Sequence, residues 1–493
     1  MTAMLAVDLG AETGRATVGH FDGERLRLED VARFPNVPVR IHGRMHWNVL
    51  SLFGKVRRSL AEARARTGGR IHSVGVDTWG IDFGLVDRAG RLLSGPVHYR
   101  DPRTEGATVS AAAIADAFEV YQRTGTRTMS INTLYQLYAM AMAEDPALQA
   151  ADRLLFVPDL FHFWLSGEAA SEYTVATTSE CFDIRGGLWD KDLVERFGVP
   201  SRLLRETVAP GTDLGPLTAE IAEETGLSGT RVVVPASHDT ASAVVAVPLP
   251  SAPDGSAFVS CGTWAVVGVE LGAPIVDDRT FAAGLSNEGG PFGTVRLLRN
   301  VMGLWLLQEC LRSWVRQGAD WSYQELVTMA ATARPHRCFI DTDATEFLRP
   351  DEHMPARVRG FCTRTGQPAP NSPAEVVCCV LESLAMRFRA TLDDIEGITG
   401  CPIGTVHIVG GGVRNALLCQ WTANATGRRV LAGPVEAASM GNLLVQAQAL
   451  GWIDSLDQAR ELSRASTALT SYEPRDPKEW QDAYERYSAV LAT

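Results

Sequence analysis

The chain carries the same short design twice. Ala6–Gly23 reads AVDLGAETGRATVGHFDG: an apolar strand, a glycine-rich turn, a second strand and a closing Asp-Gly. Phe258–Glu270 reads FVSCGTWAVVGVE and repeats that plan in the second half. A tight turn carrying Gly10, Thr13 and Gly14 lets backbone N–H groups approach an anion without a Cβ in the way, and Gly262 with Thr263 offers the same. One glycine-rich hairpin is usually only a turn. Two in equivalent places point to duplicated halves with a nucleotide clamped between them.

At 493 residues the chain exceeds what one core usually supports, so two large domains are expected. The Pro-, Ser- and Gly-rich stretch PLPSAPDGS, Pro248–Ser256, divides it near the middle. Both halves mix strands and helices. MLAVD, Thr17–Phe21, IHSVGVD and LLFVP read as strands in the first, with a helical stripe of Val49, Leu52, Phe53, Val56 and Leu60. AFVSCGTWAVVGVE, TVHIVGG and RRVLAGP read as strands in the second. A long helix is predicted from Ser372, with Pro373 in its first turn, Glu375 completing a capping box, and Val376, Val380, Leu381, Leu384 and Phe388 on its apolar face.

A net charge of −12 argues against nucleic acid or an anionic membrane as the main partner, while leaving room for a phosphate ligand held by backbone N–H groups. No run of about 18 apolar residues appears, so neither a membrane span nor a secretory signal is expected. Nine cysteines, without C-x-x-C pairs, fit a reducing cytoplasm better than a disulfide framework. No metal-ligand cluster stands out. His42 and His46 flank a glycine in a loop-like stretch and read as surface residues.

Two further segments carry chemistry. In Val232–Val244, VVVPASHDTASAV, an apolar run meets His238, Asp239 and Thr240. A carboxylate there must be hydrogen-bonded, paired or functional. The simplest structural role is Asp239 as N-cap of a helix starting at Thr240. The functional role is a base at a strand end, where ligands of open α/β sheets bind. HIVGGGVRN places Gly410, Gly411 and Gly412 between a buried strand and a helix start. It is neither a Walker A loop nor the spaced Rossmann fingerprint. Three glycines there admit a flat ring against the backbone, or simply a close turn.

The order DLGAETGR, SHD, CGTW and VGGG resembles the FGGY carbohydrate kinases, relatives of the actin and Hsp70 ATPases, over essentially the whole chain. The resemblance implies an α/β protein of two ribonuclease H-like domains flanking a nucleotide cleft. The first, residues 1–247, binds sugar and ends in the catalytic base; the second, residues 256–493, binds nucleotide. It implies ATP and Mg2+ as cofactors, with a sugar and ATP as partners. By that resemblance Ala11, Glu12, Thr13, Gly14, Arg15 and Thr263 hold phosphates, Gly411 lies at the adenosine, Asp8 near the magnesium, and Asp239 takes the proton of the sugar hydroxyl. The turn departs from the family at Glu12–Thr13, where two small hydroxyl residues are common; the acid must point away from the phosphates.

Longer segments narrow the substrate. VGVDTWGIDFGLVD, PVHYRDPRT, SHDTASAV, SNEGG and LLRNVMGLWLLQE run in the order of the family branch that phosphorylates the C1 hydroxyl of L-rhamnulose, a 6-deoxy-ketohexose. That resemblance implies Gly80, His238, Asp239, Thr240 and Asn300 at the sugar and Gln308 at the nucleotide. Trp79 and Phe83 are candidates for an apolar wall against the sugar methyl, with core packing as the alternative; Trp305 is expected in the core. Asp77 and Asp82 are open between structural and site-facing roles. A kinase for another deoxy-ketose or a pentulose, such as L-fuculose or L-xylulose, is the alternative. An actin- or Hsp70-like ATPase has no use for the His-Asp-Thr segment. A silent sugar sensor would not need Asp8, Asp239, Thr263 and the glycine triplet together.

Overall fold

The strands of the first repeat are β1 (Thr2–Leu9) and β2 (Thr13–Phe21), an antiparallel hairpin in which Asp8 faces Arg15 across the ladder. The computed structural model describes residues 2–249, 255–348 and 353–492. Pro250–Asp254, the centre of the expected linker, lie outside the described residues. The chain forms two compact units, each discontinuous: residues 1–248, 270–297 and 437–467, and residues 249–269, 298–436 and 468–493.

In the first unit β3 (Leu26–Pro35) continues the hairpin, while β4 (Ser73–Thr78) and β5 (Arg231–Val233) run parallel to β1 on its other side. The sheet order is Asp213–Pro216, β5, β4, β1, β2, β3. β4 is buried at every position, as a strand covered on both faces must be. The helical stripe forms on Val49–Arg66, with Val49, Leu52, Val56 and Leu60 buried and Asn48 Oδ1 accepting from Ser51 N. LLFVP is only partly strand. Arg153–Phe156 are extended, and Val157 and Pro158 open the helix Val157–Ser166, where a proline fits the first turn. α1 (Asp239–Val245) follows β5.

The helix Ala437–Ala449, far along the chain, also belongs to this unit. Gln446 Nε2 donates to Leu5 O at 3.0 Å and Asn442 Nδ2 to Gly75 O at 3.2 Å, so its polar face attaches to β1 and β4. A division into residues 1–247 and 256–493 follows chain order, whereas this packing assigns residues 270–297 and 437–467 to the first unit.

The second unit repeats the plan. β6 (Ser256–Cys261) and β7 (Trp264–Leu271) form the second antiparallel hairpin, followed by β8 (Val295–Met302), whose residues up to Leu297 count with the first unit, and α2 (Trp305–Arg316). The helices α3 (Met354–Arg364) and α4 (Pro373–Thr399) precede β9 (Thr405–Val409) and β10 (Arg429–Ala432). The order β8, β7, β6, β9, β10 matches β3, β2, β1, β4, β5, with β9 parallel to β6 and β10 parallel to β9. The capping box at Ser372 and Glu375 forms as predicted, and Val376, Val380, Leu381, Leu384 and Phe388 are buried.

Candidate active site

Three carboxylates gather in the first unit at the carboxyl ends of adjacent parallel strands. Asp8 is the penultimate residue of β1, Asp77 is its register partner on β4, and Asp239 opens α1 just beyond β5. Backbone pairing continues past β5, with Thr78 N donating to Ser237 O at 2.9 Å, which holds the SHD segment beside the end of β4. Burial raises all three carboxyl groups above the usual range. Asp239 adds to the rise at Asp8, and Asp8 to the rise at Asp77, while Arg15 opposes it at Asp8 and His238 at Asp239. Asp77 Oδ2 accepts from Asn442 Nδ2 at 2.5 Å; its Oδ1 is buried without a donor among the described residues. Two adjacent carboxylates with an unsatisfied oxygen are a hard-oxygen donor set of the kind Mg2+ takes.

Asp239 is not the N-cap. His238 occupies that position without a side-chain cap bond, and the helix begins at Asp239 itself. Oδ1 of Asp239 accepts from Thr240 N at 2.6 Å and from Thr240 Oγ1 at 3.2 Å, so a bond to the next residue replaces the expected cap bond. The side chain stays 30% exposed, leaving the carboxylate within reach of a ligand.

The imidazole beside it is held from behind. His238 Nε2 lies 3.4 Å from Asp239 Oδ1, and Nδ1 lies 3.2 Å from Glu288. Arg296 is fully buried, 3.2 Å from the same Glu288 oxygen, and donates to Gly289 O at 2.9 Å. Glu172 accepts from Ser237 N at 3.2 Å, while Thr174 Oγ1 accepts from His238 N at 3.3 Å. SNEGG and the buried arginine within β8 thus serve as supports for the SHD segment.

The DTWGIDFG stretch resolves Asp77 from Asp82. Asp82 is structural: Oδ2 accepts from Trp47 Nε1 at 2.5 Å, Trp79 Nε1 at 3.0 Å and Tyr99 N at 3.1 Å, and Oδ1 from Gln136 Nε2 at 2.8 Å. Even so, burial pushes it up to about 6. Trp79 and Phe83 are both buried, Trp79 packing on Trp47 with ring centroids 3.9 Å apart, so core packing accounts for both. Ile81 sits at φ 66°, a costly conformation for a β-branched residue. Thr178 Oγ1 accepts from its N–H at 3.1 Å and Thr133 Oγ1 donates to its carbonyl at 2.7 Å. A Cβ on Gly80 would come within 2.8 Å of Thr178 Oγ1, so this position needs glycine for packing.

The turn Gly10–Arg15 closes through Gly10 N to Thr13 O at 2.9 Å and is tied down by Asn36, whose Nδ2 donates to Gly10 O and whose N–H donates to Glu12 O, each at 2.9 Å. Ala11, Glu12 and Arg15 are half-buried and Thr13 is exposed. Gly14 is required by packing, since a Cβ there would run into the Phe34 ring.

The nucleotide candidates of the second unit converge among themselves. Thr263 O accepts from Trp305 N at 3.2 Å and Gly262 O from Leu304 N at 2.9 Å, which fastens the β6–β7 turn to the start of α2. Gly303 permits this approach; a Cβ on it would lie 2.6 Å from the Trp264 carbonyl carbon. Gln308, one turn into α2, has a buried Oε1 without a donor among the described residues. Trp305 is buried, as expected. On the neighbouring strand end, Gly410 adopts φ 81° and Gly412 lies against Cys261, where a Cβ would stand 2.5 Å from Sγ. Gly411 alone of the three has no atom within 4.0 Å of a Cβ position except Cys261 O at that limit, so its face is open. Asn300 is half-buried on β8.

A model of the N-terminal domain of the FGGY family of carbohydrate kinases matches residues 3–246, and a model of the C-terminal domain matches residues 257–450. The chain belongs to the FGGY carbohydrate kinases. Among its relatives, a protein named rhamnulokinase from Bacteroides thetaiotaomicron is 40% identical over 479 residues, covering 97% of each chain. Another of that name from Klebsiella pneumoniae is 38% identical over 479 residues, covering 96% of this chain and 95% of its own. Among solved structures, a gluconate kinase from Lactobacillus acidophilus superposes with a TM-score of 0.81 at 16% identity, covering 100% of this chain and 98% of its own. That likeness is one of fold.

Within this FGGY kinase, sequence reasoning missed the supporting residues. Asn442, Glu288, Arg296, Glu172 and Asn36 in the first unit, and separately Gly303 in the second, meet their partners only in three dimensions. Arg296, a cation between Val295 and Leu297, was the one visible signal. No helix among the described residues is long and apolar enough to cross a membrane.

Proposed function

We propose that this kinase transfers the γ-phosphoryl group of ATP to the C1 hydroxyl of L-rhamnulose, giving L-rhamnulose 1-phosphate and ADP in L-rhamnose catabolism in the cytoplasm. The observation that carries the reading is Asp239, an accessible carboxylate with raised proton affinity at the first turn of α1. The choice of sugar rests on relatives named rhamnulokinase along nearly the whole chain.

Asp239 accepts the C1 hydroxyl proton as that oxygen bonds to the γ-phosphorus and the bond to the ADP oxygen breaks. His238, held by Glu288, and Thr240 orient the sugar with Gly80 and Asn300. Ala11, Glu12, Thr13, Gly14 and Arg15 contact phosphate through the β1–β2 turn, and Thr263, Gln308 and Gly411 take the nucleotide. Asp8 and Asp77 would hold Mg2+, which neutralises phosphate charge when bound. ADP release from ATP and Mg2+ with L-rhamnulose, L-fuculose and L-xylulose in parallel tests the reading. L-Rhamnulose should give the highest kcat/KM. A higher value for either other ketose reassigns the sugar, and ADP release independent of any sugar overturns the kinase.

A further inference from the structure

From Ser73 to Val86 every residue is buried except Ile81. Trp79 and Phe83, its apolar neighbours, are closed into the core, whereas Ile81 packs partly on that core and keeps the rest of its surface exposed. A ligand at Gly80, placed above at the sugar, therefore meets one apolar side chain from this stretch, and it is neither of the aromatic ones.

The backbone makes the identity of this residue informative. At φ 66° glycine or asparagine fits with little strain, while a β-branched side chain is the costly choice. The fold meets that cost with bonds on both sides of the residue: Thr178 Oγ1 to Ile81 N at 3.1 Å, Thr133 Oγ1 to Ile81 O at 2.7 Å, and Asp82 N to Gly80 O at 2.8 Å. A turn alone would be served as well by glycine. What isoleucine adds is its side chain, and strained residues held this firmly collect where ligands bind.

Ile81 also stands beside the SHD segment. Thr78, three residues earlier, donates from N to Ser237 O at 2.9 Å and pairs with His238, and three residues of chain span at most about 10 Å. Thr178, which grips Ile81, follows Thr174 and Thr177; Thr174 Oγ1 accepts from His238 N at 3.3 Å and Thr177 Oγ1 from Gly289 N at 2.9 Å. One frame thus positions both His238 and Ile81. A ketohexose with its C1 hydroxyl at Asp239 carries C6 at its other end, several bonds away. Resting on the reading of L-rhamnulose as the sugar, we propose that Ile81 is a specificity-determining residue, its exposed face packing against the C6 methyl of the 6-deoxy-ketose. A hydroxyl on C6 would lose water there and gain no partner from this side chain.

The test compares kcat/KM for three ketoses: L-rhamnulose; L-xylulose, the same ketose with a hydrogen in place of the methyl; and L-fructose, which carries a hydroxyl on C6. One methyl in an apolar site is worth about 10-fold or more, so the wild-type chain should favour L-rhamnulose over L-xylulose by at least that factor. Ile81→Asn, suited to the positive φ, should lower this ratio by about 10-fold, chiefly through KM for L-rhamnulose, and raise L-fructose relative to L-rhamnulose. Ile81→Ala should lower the same ratio without adding polarity, and Ile81→Val should keep most of it. A ratio taken within one preparation does not depend on how much of a variant is folded. A wild-type chain without preference for L-rhamnulose overturns the sugar reading, and the methyl contact falls with it. A wild-type preference that Ile81→Asn and Ile81→Ala leave intact, or a loss shared equally by the three ketoses, overturns the role of Ile81 alone.

Discussion

Asp239 combines two properties a base needs: an environment that raises its proton affinity and side-chain exposure of 30%. Asp239→Asn keeps an oxygen to accept from Thr240 N but removes the proton acceptor. Its kcat should fall by about 10²–10⁴-fold, with the melting temperature close to wild type. A variant that turns over L-rhamnulose at near wild-type rate removes Asp239 from the chemistry. A base works deprotonated and burial raises the pKa of Asp239, so under the proposed mechanism kcat/KM should fall as pH drops through a value above the ordinary carboxylate range near 4. An acid limb at or below that ordinary value contradicts the assignment. Thr263 allows a separate test, because its contact with Trp305 uses the backbone carbonyl and survives Thr263→Val. Losing only the hydroxyl should raise KM for ATP and leave KM for the sugar unchanged; the reverse pattern would assign the β6–β7 turn to the sugar.

The helix Ala437–Ala449 fits closely against α1. A Cβ on Gly441 would lie far inside van der Waals contact of Ser242 O, a backbone atom of α1. Gly441→Ala must push α1 aside, and with it the carboxylate at its start. The expected loss is about 1–3 kcal/mol of stability together with reduced kcat. Gly397→Ala on α4 is the contrast, since nothing lies within 4 Å of a Cβ there. In an exposed helix interior that change should stabilise by about 0.4–1 kcal/mol. Thermal melts and turnover of the two variants side by side check both, and equal melting temperatures would contradict the close approach.

At the scale of the molecule, buried acids set part of the response to pH. Burial pushes Glu172 up to about 7 and Glu180 up to about 8 in the folded chain, whereas both ionise near 4.5 when unfolded. Between those values the folded state binds more protons, so their contribution is full at low pH and is lost as pH rises through the folded values. His98 and His162, which burial lowers to about 3, act in the opposite sense, but only below their ordinary 6.5. Between about pH 6.5 and 8.5 the acids act without them. Glu180→Gln should therefore change the melting temperature less than wild type across that window, and an unchanged slope would show that Glu180 is ionised throughout.

The repeated strand–turn–strand, the stripe on Val49–Arg66, the capping box at Ser372 and the acids Asp8 and Asp239 were legible because each is a relation between neighbours in the chain. Period, turn chemistry and a carboxylate at a strand end need no knowledge of distant residues. Other features needed the folded chain. Asp77 stands beside Asp8 with one oxygen held by Asn442, 365 residues away, whereas two tryptophans bind Asp82 into the core. Ile81 holds a positive φ only because Thr178 and Thr133 grip its backbone. Asp239 became the first helical residue, not the cap, when Thr78 held the SHD segment in strand pairing. Cys338, Cys362 and Cys379, far apart in the chain, come within 4.8 Å of one another only through the way α3 and α4 pack. Local signals set which elements form, whereas steric fit and desolvation, which act between residues far apart in sequence, decided which side chains share a site.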